Sequence, residues 1–323
     1  MEKILVTRRI PQKFLERLEG LGEVEMWDHE LTPMPREQFL EAARDKTALL
    51  VTLSERIDAV LFEAAPQLKV VANMAVGYDN IDLQTAEQNH VQVANTPGVL
   101  TETTAELGFA LMMATSRRIV EAEKYVQQGQ WESWGPYLLA GKDIYQSKVG
   151  IFGMGEIGRA FARRLKGFNA DILYHNRSRN MKAEHELGAF YTSFDTLIKE
   201  SDFVICTAPS TPETQNTFNK EVFKKMRNDA IFINIGRGDL VVEEDLVEAI
   251  ENGEIAGCGL DVVRDEPIPT DHPLLKYPNV IVTPHIGSAS VLTRDQMIQT
   301  CILNIEDVIQ GYLARNQVVT NTH

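Results

Sequence analysis

Residues 149–158, VGIFGMGEIG, decide the fold of this chain. The first four form the apolar run of a buried strand, the rest carry the pattern G-x-G-x-x-G, and an amphipathic helical pattern follows at once. In such a loop Gly153 permits the tight turn, Gly155 lets a pyrophosphate approach the backbone, and Gly158 lets the helix pack against the sheet. N–H groups at the start of the helix then bind the phosphates. The stretch therefore predicts a dinucleotide site with these contacts: Gly153, Gly155, Glu156, Ile157 and Gly158.

On both sides of this stretch, short β-branched runs alternate with amphipathic helical patterns. Before it, strands are predicted at residues 4–6, 48–53 and 69–74, with helices at 12–21 and 36–44. After it, strands are predicted at residues 171–174, 203–207, 230–235, 256–260 and 280–283, with helices at 156–166, 243–252 and 293–309. Such alternation is typical of parallel sheets flanked by helices, so we predict two α/β domains.

A turn separates the two alternating series. Residues 95–98, Asn-Thr-Pro-Gly, contain the residue types that end regular structure. The following residues, 102–128, carry a helical pattern and predict one long helix that packs on another surface. We therefore place a domain boundary at this turn.

The composition argues against several classes of function. The chain has 323 residues, of which 46 are acidic and 32 basic, and a formal net charge of −14. A surface of this sign repels phosphate backbones and anionic lipids, so neither nucleic acid nor a membrane is an expected partner. We expect a cytoplasmic protein, because the N-terminus lacks a signal-peptide pattern and no apolar run approaches the roughly 20 residues of a membrane span.

The cysteines carry no sign of chemistry. Cys206, Cys258 and Cys301 are widely spaced in apolar segments, and the chain has no C-x-x-C pair and no Cys/His cluster. Such thiols are most often packing groups in a reducing compartment. We predict no metal site.

The strand after the glycine-rich helix indicates which dinucleotide is bound. A site that prefers NAD usually ends this strand with a carboxylate that accepts from the ribose 2′-hydroxyl. Here the strand ends in Tyr-His-Asn-Arg-Ser-Arg, residues 174–179, and Asp171 lies too early. Guanidinium groups favour a 2′-phosphate, so NADP(H) is the preferred cofactor and NAD(H) remains possible. The expected contacts are Asn176, Arg177, Ser178 and Arg179, although two arginines in a loop can also be solvated charges.

Three segments that follow later strands carry the candidate catalytic residues. Arg237 lies between two glycines directly after a buried strand, where a guanidinium can bind a carboxylate and polarise a keto oxygen. His285 also follows a strand and precedes a glycine turn, and Glu266 lies in the segment between them. Singly, such a histidine or glutamate is more often structural. Together they supply what reduction of a keto acid requires: an anion clamp, a proton donor, and a carboxylate that stabilises the charged donor.

Six ordered motifs resemble those of the D-isomer-specific 2-hydroxyacid dehydrogenase family over nearly the whole chain. They are VGYDNID (76–82), NTPGVLTETTAE (95–106), GMGEIG (153–158), NIGRG (234–238), DVVRDEP (261–267) and PHIGS (284–288). The chain looks most like the glyoxylate/hydroxypyruvate reductase branch and is also similar to 2-ketogluconate reductases. Related formate dehydrogenases pair their histidine with a glutamine, so Glu266 argues against that branch.

The resemblance implies a role for each matching residue. Arg237 would bind the carboxylate and keto oxygen of the substrate, His285 would protonate that oxygen, and Glu266 would pair with His285. Further implied substrate contacts are Leu53, Ser54, Val76, Gly77 and, from a neighbouring subunit, Trp134. Further implied cofactor contacts are Thr104 at the phosphates, Ile235 and Gly236 beside the nicotinamide, and Asp261 near its carboxamide. The implied reaction is NADPH-dependent reduction of glyoxylate or hydroxypyruvate to a D-2-hydroxy acid.

The resemblance also implies an architecture that periodicity cannot give. Two doubly wound parallel-sheet domains are expected. A Rossmann coenzyme domain at residues 99–289 would be inserted into a flavodoxin-like substrate domain formed by residues 1–98 and 290–323. The long helix after Pro97 would form a homodimer surface. Trp131 and Trp134 would lie at that surface, either in ordinary interface packing or, for Trp134, at the partner's active site.

Two rival functions remain open on the sequence. A reductase of 2-ketogluconate or another bulky keto acid would use the same motifs. A cofactor-sensing binding protein, like the C-terminal-binding corepressors that share this fold, can also retain the catalytic residues. An acidic surface without long tails makes the second rival the more distant.

Overall fold

The computed structural model describes residues 1–319, which form two compact units. The first unit combines Met1–Leu100 with the chain from Ala289 onward, and the second is Thr101–Ser288. The expected boundaries, after residues 98 and 289, differ from these by two residues and one residue. Each unit has its own sheet and its own core, and each is described by itself.

The two units contain the following strands and helices. The strands are β1 (Lys3–Val6), β2 (Glu23–Met26), β3 (Ala48–Val51), β4 (Val70–Asn73), β5 (Gln92–Ala94), β6 (Lys148–Phe152), β7 (Asp171–His175), β8 (Phe190–Tyr191), β9 (Phe203–Cys206), β10 (Ile231–Asn234), β11 (Gly257–Leu260), β12 (Val280–Val282) and β13 (Gln317–Val318). The helices are α1 (Gln12–Glu19), α2 (Arg36–Ala43), α3 (Ala59–Ala64), α4 (Leu83–Gln88), α5 (Thr101–Ser116), α6 (Ile119–Gln127), α7 (Glu156–Leu165), α8 (Met181–Leu187), α9 (Phe194–Glu200), α10 (Lys220–Lys225), α11 (Glu243–Glu251) and α12 (Val291–Ile309).

The sheet of the first unit has the strand order β13-β5-β4-β3-β1-β2. Its strands are parallel except for β13, which pairs antiparallel with β5. Without β13 this is the flavodoxin-like order 2-1-3-4-5. Successive strand residues enter opposite cores, because side chains alternate across a strand: Ile4 and Val6 face α1 and α12, whereas Leu5 faces α2, α3 and α4. Both faces of the sheet are therefore covered, as a doubly wound fold requires.

The sheet of the second unit is wholly parallel in the order β12-β11-β10-β9-β6-β7-β8. Helices α5, α7 and α8 contribute to the core on one face, and α9, α10 and α11 to the core on the other. The order is that of a Rossmann fold, and the strand order reverses between β6 and β9. Ligands bind at such a reversal, beyond the carboxyl ends of the strands. The predicted fold class is confirmed.

The predicted single helix over residues 102–128 is wrong, because the structure has two helices there, α5 and α6. The carbonyl oxygen of Ser116 accepts from the N–H of Lys142 at 2.8 Å, which removes it from the helical ladder. Arg118 then adopts a left-handed backbone with φ 54°, and its side chain pairs with Glu121 at 2.7 Å. The chain therefore turns between α5 and α6, and the cause is a segment more than twenty residues further along the sequence.

The prediction also missed four short strands, β2, β5, β8 and β13, and of these β5 lies inside its sheet, between β4 and β13. Strand β2 alternates Glu with Val and Met, and its burial alternates exposed with half-buried. Such a strand lacks the β-branched runs on which the prediction relied.

Within residues 1–319, none of the helices has both the length and the apolar composition that crossing a bilayer would require.

Candidate active site

The glycine-rich loop joins β6 to α7 at the strand-order reversal. Gly153 has φ +103°, and a Cβ there would lie 2.6 Å from the backbone nitrogen of Ala208. A Cβ on Gly158 would overlap the carbonyl oxygen of Gly153, so the start of α7 packs directly on the loop. By contrast, the space above Gly155 is open. Among the described residues, no side chain caps α7 at Gly155. The loop thus offers a concave backbone and an uncapped helix N-terminus, which together suit a phosphate.

Two asparagine side chains hold this loop in place. Asn176 Oδ1 accepts from the N–H of Met154 at 2.7 Å, and Asn180 Nδ2 donates to the carbonyl oxygen of Met154 at 2.7 Å. The side chain of Asn176, which was expected to contact the cofactor, therefore hydrogen-bonds to the backbone of the loop. Asn180 was not expected, because no sequence pattern marks an amide that bonds a backbone group 26 residues away.

The two arginines after β7 differ in their surroundings. Arg177 is exposed, as is Ser178. Arg179 is also exposed, but its Nη2 and Nε lie 2.5 and 2.9 Å from the carboxylate of Glu184. Arg179, and then the Tyr174 hydroxyl, hold the pKa of Glu184 down at about 2. The guanidinium of Arg179 is thus oriented by a carboxylate, whereas Arg177 is an exposed residue whose charge acts on Glu213.

The N-I-G-R-G loop after β10 is fixed by its own asparagine. Asn234 is fully buried; its Oδ1 accepts from the N–H of Gly236 at 3.0 Å and its Nδ2 donates to the carbonyl oxygen of Arg237 at 2.9 Å. Arg237 is half-buried, and its Nη1 donates to the carbonyl oxygen of Gly236 at 2.9 Å. Ile235 is buried and its N–H donates to Cys206. The loop therefore presents Arg237 from a rigid backbone.

The structure brings His285 and Glu266 together. His285 Nδ1 lies 2.7 Å from Glu266 Oε2, and the two side chains keep 26% and 32% of their exposure. The other carboxylate oxygen of Glu266 accepts from the N–H of Val263 at 3.2 Å. With Nδ1 engaged, the Nε2 atom of His285 remains for a ligand.

The turn that carries His285 is anchored by Asp261. Asp261 Oδ1 accepts from the Thr283 hydroxyl at 2.7 Å and from the N–H of Ile286 at 2.9 Å, and Oδ2 accepts from the N–H of Gly287 at 2.8 Å. Burial raises the pKa of Asp261, while these hydrogen bonds act in the opposite direction. In this unit the carboxylate of Asp261 thus positions the histidine turn, a function that sequence reasoning did not assign to it.

Three adjacent strands present the candidate catalytic residues. β10 precedes Arg237, β11 precedes Glu266, and β12 precedes His285, and these strands are neighbours in the sheet. Because parallel strands share one carboxyl edge, their following loops leave the sheet side by side. Arg264 lies in the segment after β11, and its side chain donates to the carbonyl oxygen of Val241 at 2.5 Å. This hydrogen bond joins that segment to the one that follows β10. Thr104 of α5 is buried, and a Cβ on Gly287 would lie 3.2 Å from its methyl group.

The expected substrate contacts of the first unit follow β3 and β4, again at a carboxyl edge. Leu53 is 40% exposed and Ser54 is exposed. Val76 and Gly77 are half-buried, and their carbonyl oxygens accept from the side chains of Asn95 at 2.8 Å and Asn73 at 2.9 Å. The carbonyl oxygens of this segment are thus engaged by side chains of the same unit.

The tryptophans lie in an exposed apolar segment. Trp131 and Trp134 are 61% and 81% exposed, and Tyr137 is 86% exposed. Ile119 and Val126 of α6 are about half exposed as well. Large apolar side chains gathered in one exposed segment often mark a protein–protein contact.

Comparison with known proteins agrees with this architecture. Residues 109–287 match the family model described as D-isomer specific 2-hydroxyacid dehydrogenase, NAD binding domain. A glyoxylate reductase of Korarchaeum cryptofilum (strain OPF8) is 44% identical over 317 residues, which are 98% of this chain and 95% of that protein. A glyoxylate reductase of Thermococcus onnurineus (strain NA1) is 46% identical over 309 residues, 94% of this chain and 91% of that one.

A solved structure gives the same result. It is an NADPH-dependent glyoxylate/hydroxypyruvate reductase from Sinorhizobium meliloti in complex with NADP and malonate, with a TM-score of 0.87 and 34% identity; the match covers 98% of this chain and 96% of that one. Fold and matches together define an NAD(P)-dependent oxidoreductase. The chain belongs to the D-isomer-specific 2-hydroxyacid dehydrogenase family, as its motifs predicted.

Proposed function

We propose that this protein reduces glyoxylate and hydroxypyruvate to the corresponding 2-hydroxy acids, with NADPH as the preferred electron donor. The observation that carries the proposal is the 2.7 Å pair of His285 and Glu266 beside the Arg237 loop, at the carboxyl edge of the Rossmann sheet. In this proposal the second unit binds the dinucleotide and carries Arg237, Glu266 and His285, and the first unit carries the other proposed substrate contacts. The names of the relatives point to the same substrates.

The cofactor requires groups that the second unit has. The Gly153–Gly158 loop would hold the pyrophosphate, since the space at Gly155 is open and α7 is uncapped there among the described residues. Thr104 would approach the phosphates. The nicotinamide would lie beside Ile235 and Gly236, with its carboxamide near Asp261. When bound, the reduced cofactor supplies a hydride to the keto carbon of the substrate.

The remaining chemistry belongs to the protein. Arg237 would bind the substrate carboxylate with its planar guanidinium and polarise the keto oxygen, on which negative charge develops. His285 would donate the proton on its Nε2 to that oxygen as the carbon receives the hydride. Glu266, at the Nδ1 side of the ring, would orient the imidazole and stabilise its charged form. Leu53, Ser54 and the N–H groups of Val76–Gly77, all in the first unit, would be further substrate contacts.

The preference for NADPH rests on the end of β7. The structure has no carboxylate among residues 174–179, where one would repel a 2′-phosphate. Arg177 is exposed and would provide the main contact, and Arg179, oriented by Glu184, the second. A relative named as NADPH-dependent supports this choice, while NADH remains a usable donor.

We further propose a homodimer that forms through the exposed apolar segment. Trp131, Trp134 and Tyr137 would be covered by the partner subunit, where Trp134 would reach the substrate pocket. Small keto acids would then be enclosed by residues of both subunits.

A substrate panel tests the proposed function. NADPH and NADH oxidation should be measured with glyoxylate, hydroxypyruvate, pyruvate and 2-ketogluconate under identical conditions. The proposal requires the highest kcat/KM for glyoxylate or hydroxypyruvate with NADPH. A clear preference for 2-ketogluconate would assign the protein to the bulky-substrate branch, and binding of NADPH without turnover of any keto acid would indicate a cofactor-sensing protein.

A further inference from the structure

A buried ion pair lies under the substrate loop of the first unit. Strands β1, β3 and β4 are neighbours in the sheet, so the segments that follow them share its carboxyl edge. Glu55, just beyond Leu53 and Ser54, has a side chain only 3% exposed, and its partner Arg8, just beyond β1, is 13% exposed. A carboxylate in such a place must be fully hydrogen-bonded, because burying an unpaired charge is costly.

The Glu55 carboxylate receives four hydrogen bonds from two strand ends. Its Oε1 accepts from Arg8 Nη1 at 2.7 Å. Its Oε2 accepts from the Thr7 hydroxyl at 2.9 Å, and from the N–H and hydroxyl of Thr52 at 2.8 and 2.9 Å. The carboxylate thus joins the end of β1 to the end of β3.

This network continues into the loop that would contact the substrate. Thr52 Oγ1 donates to Glu55 and accepts from the N–H of Ser54 at 3.3 Å. The turn from Thr52 to Glu55 is therefore closed by side chains on its inner side. Leu53 and Ser54 project outward from it, since both are exposed.

Asn80 ties the same turn to the second substrate segment. Its Nδ2 donates to the carbonyl oxygens of Thr52 at 3.2 Å and of Glu55 at 2.9 Å. Asn73 Nδ2 donates to Asn80 Oδ1 at 3.4 Å and to the carbonyl oxygen of Gly77 at 2.9 Å. One continuous set of hydrogen bonds thus runs from Arg8 through Glu55 to the Val76–Gly77 segment.

We propose that Glu55 is a positioning residue for substrate recognition: it sets the placement of Leu53–Ser54 relative to Val76–Gly77. The inference rests on the proposed function, in which these segments bind the keto acid. Arg8 neutralises the Glu55 charge, so the carboxylate can organise an anion-binding loop without repelling its ligand. Binding sites gain affinity when contact groups are held in place before the ligand arrives.

The test compares Glu55→Gln with wild type in glyoxylate reduction at saturating NADPH. Glutamine keeps the shape of the side chain but loses the negative charge that accepts four hydrogen bonds. KM for glyoxylate should therefore rise about tenfold, which is the effect of misplacing one good hydrogen bond. If the substitution acted only through charge, KM would fall. The positive charge of Arg8 would no longer be neutralised and would attract the anionic substrate. A purely structural loss would reduce the folded fraction and hence the apparent kcat, but not raise KM.

Thr52→Val is the milder second variant. It removes only the hydroxyl between Glu55 and Ser54, and it should raise KM severalfold in the same direction even if Glu55→Gln folds poorly. Asp45→Asn is the matched control: the same acid-to-amide change in an ion-paired residue of the same unit, 2.6 Å from Lys3 at the amino edge of the sheet. That variant should keep the wild-type KM.

The result is read together with cofactor binding. NADPH affinity, measured by fluorescence titration, should stay within twofold in all variants. The inference is overturned if Glu55→Gln folds and its KM for glyoxylate is unchanged or lower. If Glu55→Gln does not fold, the same result in folded Thr52→Val overturns it. Failure of wild type to reduce any keto acid would instead overturn the proposed function.

Discussion

At the scale of single residues, His285 has the most constrained backbone of the candidate site. Its φ of 53° lies in the left-handed region, which is uncommon for residues other than glycine. The surroundings are the carbonyl oxygens of Thr283 and Asp261, which accept from its N–H at 2.9 and 3.0 Å, and the Asp261 carboxylate, which binds the next two N–H groups. The strained turn aims the imidazole at Glu266.

Glu266→Gln tests the role of the carboxylate at this scale. Glutamine can still accept from His285 Nδ1 but brings no charge to stabilise the imidazolium. We expect kcat for glyoxylate to fall by about ten- to a hundredfold, less than for loss of the general acid itself. Steady-state kinetics at saturating NADPH measure the effect, and a kcat equal to that of wild type would contradict the assignment.

Individual residues were predictable from sequence to different degrees. Arg237, Glu266 and His285 could be selected as candidates because each follows a strand-like run in a segment whose glycines or proline argue against simple packing. Asn234, Asn176 and Asn180 could not, since an amide that bonds a distant backbone group has no periodicity and no fixed spacing. The anchoring of the His285 turn by Asp261 also depends on three-dimensional contacts that no local pattern encodes.

At the scale of elements, the proposed 2′-phosphate site would lie between the end of β7 and the start of α8. Arg177→Asp places a carboxylate where an NAD-preferring strand has one, so it should repel a 2′-phosphate and accept from a 2′-hydroxyl. We expect the ratio of kcat/KM for NADPH to that for NADH to fall at least tenfold. Arg227→Asp, an exposed arginine of the loop after α10, is the control; an unchanged ratio in Arg177→Asp would refute the site.

The pairing of α8 with the end of β7 predicts a pH dependence of stability. The pKa of Glu184 is about 2 in the folded protein against an ordinary 4.5, with Arg179 as the main cause. A lowered carboxyl pKa stabilises the fold above pH 4.5, and this contribution is lost as the pH falls towards 2. Glu184→Gln should therefore lower Tm at neutral pH. The difference in Tm between this variant and wild type should become smaller as the pH falls from 4.5 to 2. A difference independent of pH would show that the pair does not act through its charge.

Elements were predictable where their pattern is local. The strand–loop–helix unit around Gly153 was predicted to within one residue, because a buried strand, a glycine turn and an amphipathic helix each leave their own pattern. The break between α5 and α6 was not predictable, since it depends on Lys142 removing the carbonyl oxygen of Ser116 from the helix. The edge strand β2 alternates apolar residues with glutamates, and β8 and β13 are two residues long, too short to leave a pattern.

At the scale of the whole molecule, the exposed aromatic segment predicts an assembly. Trp134 and Tyr137 are more than 80% exposed in the single chain, which costs hydrophobic free energy unless a partner covers them. Sedimentation should give a dimer for wild type and a larger monomer fraction for the double variant Trp131→Ala, Trp134→Ala. A monomeric wild-type protein at micromolar concentration would contradict the proposed homodimer.

Pre-steady-state hydride transfer is the most direct test of the proposed keto-acid reduction. NADPH-loaded enzyme is mixed with saturating glyoxylate, and the loss of reduced nicotinamide is followed in wild type and His285→Asn. We predict a transfer rate at least a hundredfold lower in the variant, with NADPH affinity unchanged, because the keto oxygen then lacks its proton donor. A variant that binds NADPH normally and transfers hydride at the wild-type rate would contradict the proposed role of His285.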